Sequence, residues 1–283
     1  MKTLENALLA GKQLLKEKGI KEGDLDAWYL FSHYFELSRT QYLLHSGAEI
    51  TETQYEEYLT LIKKRGNHIP LQYITREQEF MGLTFQVSED VLIPRQDTEI
   101  LVEEALKVSQ DKTVLDLCTG SGCIIISLAK LGNIKSGTGV DISGKALEVA
   151  RENARQLKAE VLFIESDLFS QLTGKYDIII SNPPYIPTKD IYDLMEEVKD
   201  HEPVLALDGS EDGLNFYRFI IEGISRFLKP GGYIFFEIGY NQGEAVSELL
   251  REAGIMDIKI INDLAGLNRV ISGRYKKEEE PFT

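Results

Sequence analysis

Tyr176-Asp177-Ile178-Ile179-Ile180-Ser181-Asn182-Pro183-Pro184-Tyr185 decides how the rest of the chain is read. A strand-biased apolar run passes into Asn-Pro-Pro-Tyr and stops. Such a run suits a strand buried on both faces of a parallel sheet. The two prolines then end the ladder, because they carry no backbone donor, and they fix two φ angles. An amide, a rigidly held carbonyl and an aromatic ring so arrive together at the carboxyl end of a strand. That is the end at which open α/β sheets bind ligands. Read alone, the tetrapeptide also suits a plain strand-ending turn, since Asn-Pro is a turn dipeptide.

Around this strand, helices and strands alternate from Lys112 onward, which predicts an α/β domain with a parallel sheet. Strands are expected at 114–117, 137–140, 161–164, 177–180 and 233–238, and helices at 122–131, 213–228 and 243–254. Ser143 can cap a further helix with Leu147, Ala150, Ala154 and Leu157 inward. Residues 229–232, Lys-Pro-Gly-Gly, read as a turn, and 186–212 is too irregular for a plain crossover. Segments 258–261 and 269–275 can pair as a final antiparallel edge, for seven strands in all. The charged tail, 276–283, is expected to fray.

The first 75 residues read as a small helical bundle domain. Thr3 can cap a helix with Leu4, Leu8 and Leu15 inward. Asp24 can cap a second, carrying Ala27, Leu30, Phe31 and Tyr34, and Ser38 a short third. Thr51-Glu52-Thr53-Gln54 reads as a capping box before Tyr55, Tyr58, Leu59 and Ile62. That helix closes on Lys63-Lys64-Arg65-Gly66, a basic end that complements the helix dipole. Residues 76–95 read as a β-hairpin connector with Gly82 near its turn, and 96–283 as the α/β domain, entered by a helix at Asp97-Thr98-Glu99.

The chain has 283 residues, 43% hydrophobic and 27% charged, enough for one large or two smaller domains. A net charge of −15 opposes non-specific binding to nucleic acid or acidic membranes. No signal peptide or membrane-length apolar run is apparent. Cys118 and Cys123 form neither a disulfide framework nor a metal-ligand spacing, and His33, His45, His68 and His201 are scattered. A reduced, cytoplasmic protein is expected.

Asp116-Leu117-Cys118-Thr119-Gly120-Ser121-Gly122 joins the first strand of the sheet to its helix. Glycines there admit a ligand to bare backbone, and the helix start offers N–H groups to a carboxylate. Asp116 can hold a cationic group beside it. The glycine spacing is not that of a dinucleotide fingerprint. Asp141 ends the second strand, where a carboxylate accepts from ribose hydroxyls. Ser166-Asp167-Leu168 ends the third, with Asp167 available to an adenine amino group and Leu168 to its ring. Together these acids and the glycine loop point to an adenosyl ligand bearing an amino acid, S-adenosylmethionine.

The flanks carry a resemblance. Pro70-Leu71-Gln72-Tyr73-Ile74, Glu79-Phe80-Met81-Gly82-Leu83 and Val91-Leu92-Ile93-Pro94-Arg95-Gln96-Asp97-Thr98-Glu99 precede the sheet. Glu202-Pro203, Ala206-Leu207-Asp208-Gly209, Glu211-Asp212-Gly213-Leu214 and Asn268-Arg269-Val270 follow Tyr185. With Asn182-Pro183-Pro184-Tyr185, these closely resemble the HemK/PrmC family, from about Pro70 onward. The resemblance implies a Rossmann-like seven-stranded methyltransferase sheet and S-adenosylmethionine as methyl donor. It also implies an enzyme of translation termination that methylates the side-chain amide of the glutamine in the Gly-Gly-Gln motif of class I peptide chain release factors. Cys118 departs from the family, where many members carry Gly.

On that reading the Asn182 side-chain oxygen and the Pro183 carbonyl each accept one N–H of the substrate amide. Pro184 completes the binding stretch, and Tyr185 covers the amide plane. The helical first domain would recognise the folded factor. A monomer with no direct nucleic-acid partner is expected. The competing reading is a nucleic-acid methyltransferase acting on an exocyclic base amine, which the same clamp would serve. It calls for a basic strand-tracking groove, and the charge of −15 opposes it.

Overall fold

A computed structural model describes residues 1–276. The expectation of a frayed tail falls, beyond Lys276, outside the described residues. The chain divides into two units, one of Met1–Glu77 with Met195–His201, the other of Gln78–Leu194 with the chain from Glu202 onward.

The first unit is built from α1 (Leu4–Glu17), α2 (Gly23–Phe35), α3 (Arg39–His45), α4 (Glu52–Gly66) and the single turn α5 (Leu71–Thr75). Thr3 caps α1, and capping boxes at Ser38/Gln41 and Thr51/Gln54 open α3 and α4. Asp24 is not a cap: α2 begins one residue earlier, at Gly23, behind Glu22, which makes no capping bond. Gly23 packs closely on α1, where a Cβ would sit 2.9 Å from the Leu15 side chain. Leu8, Leu15, Leu30, Phe31, Tyr58 and Ile62 fill the core, with the Tyr58 hydroxyl donating to the Ala27 carbonyl.

Arg65 does more than complement a helix dipole. It is buried, its Nε donates to Asp26 Oδ2 at 2.7 Å, and its other arm bonds Glu197. Glu197 belongs to α9 (Glu196–Lys199), in the returning segment, where His68 Nε2 also meets Glu196 at 3.2 Å.

The second unit opens on a hairpin of β1 (Glu77–Phe80), whose first residue closes the first unit, and β2 (Leu83–Gln86). Met81 and Gly82, both at positive φ, make the tight turn that the strands' twist requires. Helix α6 (Gln96–Leu106) leads into β3 (Thr113–Leu117), α7 (Cys123–Leu131), β4 (Ser136–Asp141), α8 (Gly144–Leu157), β5 (Val161–Glu165) and β6 (Tyr176–Ser181). An excursion of short turns follows, then α10 (Asn215–Phe227), β7 (Leu228–Glu237), α11 (Gly243–Glu252), β8 (Ile255–Asn262) and β9 (Asn268–Tyr275).

The seven strands lie in the order β5-β4-β3-β6-β7-β9-β8, the first five parallel and the last two antiparallel to their neighbours. Residues 229–232 lie within β7 instead of forming a separate turn. Tyr176 pairs with Leu228 and Ile178 with Tyr233, so the intervening residues bulge from a continuous ladder. Tyr217, Ile220 and Ile224 of α10 and Leu250 of α11 cover one face of the sheet. Leu101 of α6, Ile125 of α7 and Phe80 and Phe85 of the hairpin cover the other.

β4 and β6 leave β3 on opposite sides, which makes its carboxyl end the switch point where such sheets open a crevice. Leu117 pairs with Val140 on one flank and with Ser181 on the other. Cys118, Asp141 and Asn182, the next residues along those three strands, therefore emerge side by side.

Candidate active site

The β3–α7 loop is fixed from beneath. The Thr119 hydroxyl donates to Asp116 Oδ2 at 2.5 Å, the Thr119 N–H donates to the Val140 carbonyl, and Asn153 of α8 donates to the Ser121 carbonyl at 2.9 Å. Asp116 is fully buried and its Oδ1 has no hydrogen-bond partner among the described residues. Burial, reinforced by nearby Asp141, lifts its carboxyl to about 7 against the pull of the Thr119 bond.

Above the loop lies a cavity of about 290 Å³, at the small end of the ~300–1,000 Å³ typical of small-molecule sites. Cys118, Gly120 and Asp141 line it from the strand ends. A Cβ placed on Gly120, at φ +52°, would meet nothing within 4 Å, so a ligand can reach bare backbone there. Cys118 holds φ +59°, a left-handed backbone that glycine adopts freely and a β-carbon opposes by ~1–2 kcal/mol. Its thiol is pushed up by burial first and then by Asp141, so it stays protonated.

Asp141 Oδ2 accepts from the Gly120 N–H at 2.8 Å and Oδ1 from the Ser143 N–H at 2.9 Å. A carboxylate oxygen accepts two bonds, so each keeps one site for a ligand hydroxyl. Burial raises this carboxyl, and the backbone donors oppose the rise. Asp167, exposed, and Leu168 line the cavity where β5 ends. Ile142, Phe216 and Phe219 add apolar wall, and Asp90 and Leu92 enter from the chain before α6. An acidic pair, an open glycine backbone and an apolar slot fit the S-adenosyl ligand expected from the sequence.

Asn182 and Pro184 reach the cavity; Pro183 and Tyr185 do not line it, nor do Asp116, Thr119, Ser121 and Gly122. Asn182 Nδ2 donates to Thr98 Oγ1 at 3.3 Å, and its Oδ1 accepts no hydrogen bond from the described residues. The Tyr185 hydroxyl turns inward to Glu237 Oε1 at 3.2 Å. Burial, then the Glu237 charge, raises its pKa, so it remains neutral. Gln242 Nε2 donates to the Tyr185 carbonyl at 2.9 Å. A Cβ on Gly213, at φ +75°, would stand 2.3 Å from that carbonyl oxygen, so only glycine permits this approach.

Glu202 is a buried anchor: its carboxylate takes the Ile93 N–H at 3.2 Å and pairs with Arg95. Its neighbour Pro203, with Leu205 and Ala206, lines the cavity. Phe216 and Phe219 are the lining residues least evident from sequence order. Their signal is two aromatics lying off the buried Tyr217-Ile220-Ile224 stripe of α10.

Two family models match the chain, "PrmC N-terminal domain" over residues 6–75 and "Methyltransferase small domain" over 95–210. A release factor glutamine methyltransferase of Geobacter sulfurreducens is 39% identical over 274 residues, 96% of each chain. Among solved structures, a methyltransferase from Pyrococcus furiosus matches 70% of this chain and 91% of its own, with a TM-score of 0.55 at 17% identity. The Thermus thermophilus 16S rRNA N2 G1207 methyltransferase, solved with AdoMet and guanosine, matches 71% of this chain and 50% of its own, with a TM-score of 0.50 at 18% identity. At such identities the two structures speak for the fold.

Proposed function

Because the chain belongs to the release factor glutamine methyltransferase family, to which 39% identity over 96% of its length assigns it, we propose that the cavity at Asn182 is where the glutamine is methylated. The enzyme uses S-adenosylmethionine to methylate a glutamine side chain of a release factor. We take the target to be the Gly-Gly-Gln motif of class I factors, which supports a cytoplasmic location. The enzyme is taken to act as a monomer and without a nucleic-acid partner.

The observation that carries this reading is Asn182 at the cavity wall with its Oδ1 uncommitted. An amide nitrogen is a poor nucleophile, because its lone pair is delocalised into the carbonyl. S-adenosylmethionine, when bound, supplies an electrophilic methyl group on a sulfonium centre. Asp141 would hold its ribose, Asp167 and Leu168 the adenine, and the Gly120 backbone its amino-acid end. Asn182 Oδ1 at the cavity wall, and the carbonyl of Pro183, which follows it in the chain but does not itself line the cavity, each take one substrate N–H, which aims the nitrogen's face and stabilises positive charge growing on it. Alignment of this kind can supply up to roughly 7–11 kcal/mol of a barrier. Tyr185, neutral and bonded to Glu237, braces the stretch and provides no base, so as the S–C bond breaks and the N–C bond forms the surplus N–H proton leaves to water after transfer.

The test is tritiated-methyl transfer to purified release factor, with mass mapping of the product. Label on the Gly-Gly-Gln glutamine is expected. Label on RNA instead, with affinity falling steeply as salt rises, would support the base-amine reading and overturn this one. A two-acceptor clamp cannot tell one exposed glutamine from another, so remote contacts must supply selectivity. We assign that role to residues 1–75. A short Gly-Gly-Gln peptide should then be a far poorer substrate than the intact factor.

A further inference from the structure

A primary amide has two similar ends, and the clamp works only if Asn182 presents oxygen, not nitrogen, to the substrate. Nothing within Asn182-Pro183-Pro184-Tyr185 decides which end that is. Thr98, in the first turn of α6, supplies the decision. Asn182 Nδ2 donates to Thr98 Oγ1 at 3.3 Å, and Thr98 is only 2% exposed. Beside it lies the carboxyl of Glu237, at the end of β7 and equally buried, which burial raises above the ordinary carboxylate range and which the Thr98 hydroxyl and the Arg269 charge pull back toward the ionised form. Glu237 Oε2 has no hydrogen-bond partner among the described residues, Thr98 included, so it is an open buried acceptor that draws the Thr98 proton by charge and not through a formed bond. A hydroxyl whose proton is drawn to a carboxylate offers its other neighbour only lone pairs. The Asn182 amide accordingly turns its NH₂ toward Thr98 and its oxygen away. The same carboxylate accepts the Tyr185 hydroxyl through Oε1, so one buried acid ties both ends of the stretch. Arg269 and Asp97 are the other charges that act on it.

We propose that Thr98, backed by Glu237, is a positioning residue that sets the polarity of the Asn182 amide, so that Oδ1 rather than Nδ2 meets the substrate nitrogen. This rests on the reading of Asn182 as an acceptor for the substrate amide. It makes the Thr of Pro94-Arg95-Gln96-Asp97-Thr98 part of the machinery, although it touches neither substrate nor cofactor.

Thr98→Ser and Thr98→Ala lose the same methyl group and differ by one hydroxyl, so comparing them isolates the hydrogen bond. Three quantities are read: the Kd for S-adenosylhomocysteine, and KM and kcat with intact release factor. The serine variant should turn over within about threefold of wild type. The alanine variant should lose roughly tenfold or more in kcat, the equivalent of one hydrogen bond, with Kd and KM held within about twofold. Thr98→Val, which keeps the volume, should behave as the alanine variant does and covers the case in which that variant fails to fold. Equal kcat for the serine and alanine variants, or a loss confined to KM, would overturn the proposal. If Asn182→Ala itself retained turnover, the acceptor reading would fail with it. An inactive Asn182→Ala alongside equal serine and alanine variants would refute only the role of Thr98.

Discussion

Asp141→Ala should damage two things at once, and the structure says how to separate them. The substitution strips the Gly120 and Ser143 N–H groups of their shared acceptor, at 2.8 and 2.9 Å. Hydrogen bonds to a charged group contribute roughly 1.5–3 kcal/mol each. Burial already disfavours this charge, since it raises the carboxyl, so the net loss of stability should be nearer about 1–2 kcal/mol. For a unit of this size that lowers the melting temperature by roughly 2–8 °C. The two acceptor sites proposed for ribose would cost about 3 kcal/mol more in affinity, near 10²-fold in Kd. Affinity alone cannot distinguish a lost ribose contact from a disturbed loop. Calorimetry should therefore compare S-adenosylhomocysteine with its 2′,3′-dideoxy analogue on both proteins, as a cycle in which the ligand carries one of the changes. Wild type should prefer the hydroxylated ligand by about two orders of magnitude, and the variant should bind both within about twofold. If the variant kept the full wild-type preference, Asp141 would not hold the ribose.

Asn182→Ala should keep S-adenosylhomocysteine affinity within about twofold while turnover falls ~10²-fold, read by steady-state kinetics at saturating release factor. Asp116→Asn should change the pH profile of stability. The folded protein holds a proton on Asp116 up to about 7 that the unfolded chain releases near 3.8. Its contribution is therefore fully present below pH 3.8 and lost as pH rises through about 7. The asparagine variant should match wild type near pH 4 and exceed it at pH 8 by up to roughly 4 kcal/mol, measured by urea unfolding. Arg65→Met should cost about 3–5 kcal/mol, because it leaves Asp26 and Glu197 without their shared cation. It should also speed tryptic cleavage at Lys199; unchanged cleavage would count against that anchor.

Much of this was readable in advance because strand ends announce themselves. Cys118 and Asp167 close largely apolar strands and Asp141 a strand of small residues ending in Val140, and a parallel sheet brings such positions together whatever their separation in the chain. Which way each side chain faces is a different question, and spacing cannot answer it. Asp116, Thr119 and Ser121 read as ligand contacts, yet none lines the cavity: Thr119 bonds one oxygen of Asp116, and the Ser121 carbonyl is taken by Asn153. Tyr185 reads as a lid and is bonded from behind by Glu237. Phe216, Phe219, Asp90 and Leu92 come from elements that sequence order leaves far from the glycine loop, and only tertiary packing delivers them. The capping boxes of α3 and α4 are legible because they are wholly local, whereas the start of α2 carries no capping bond to mark it.

The Arg65–Glu197 bond spans 132 positions of chain, and this has a consequence in time. A ribosome adding ~5–20 residues per second delivers Glu197 roughly 7–26 s after Arg65. Asp26 is already made by then and can neutralise the guanidinium early, so the nascent helices are not left with a bare buried cation. The bundle nevertheless waits, one acidic partner short, until the chain has been synthesised past Asn182 to Glu197. A nascent chain halted before residue 197 should therefore carry a looser first unit than the finished protein. Pulse proteolysis of chains stalled on either side of that position would time the closure.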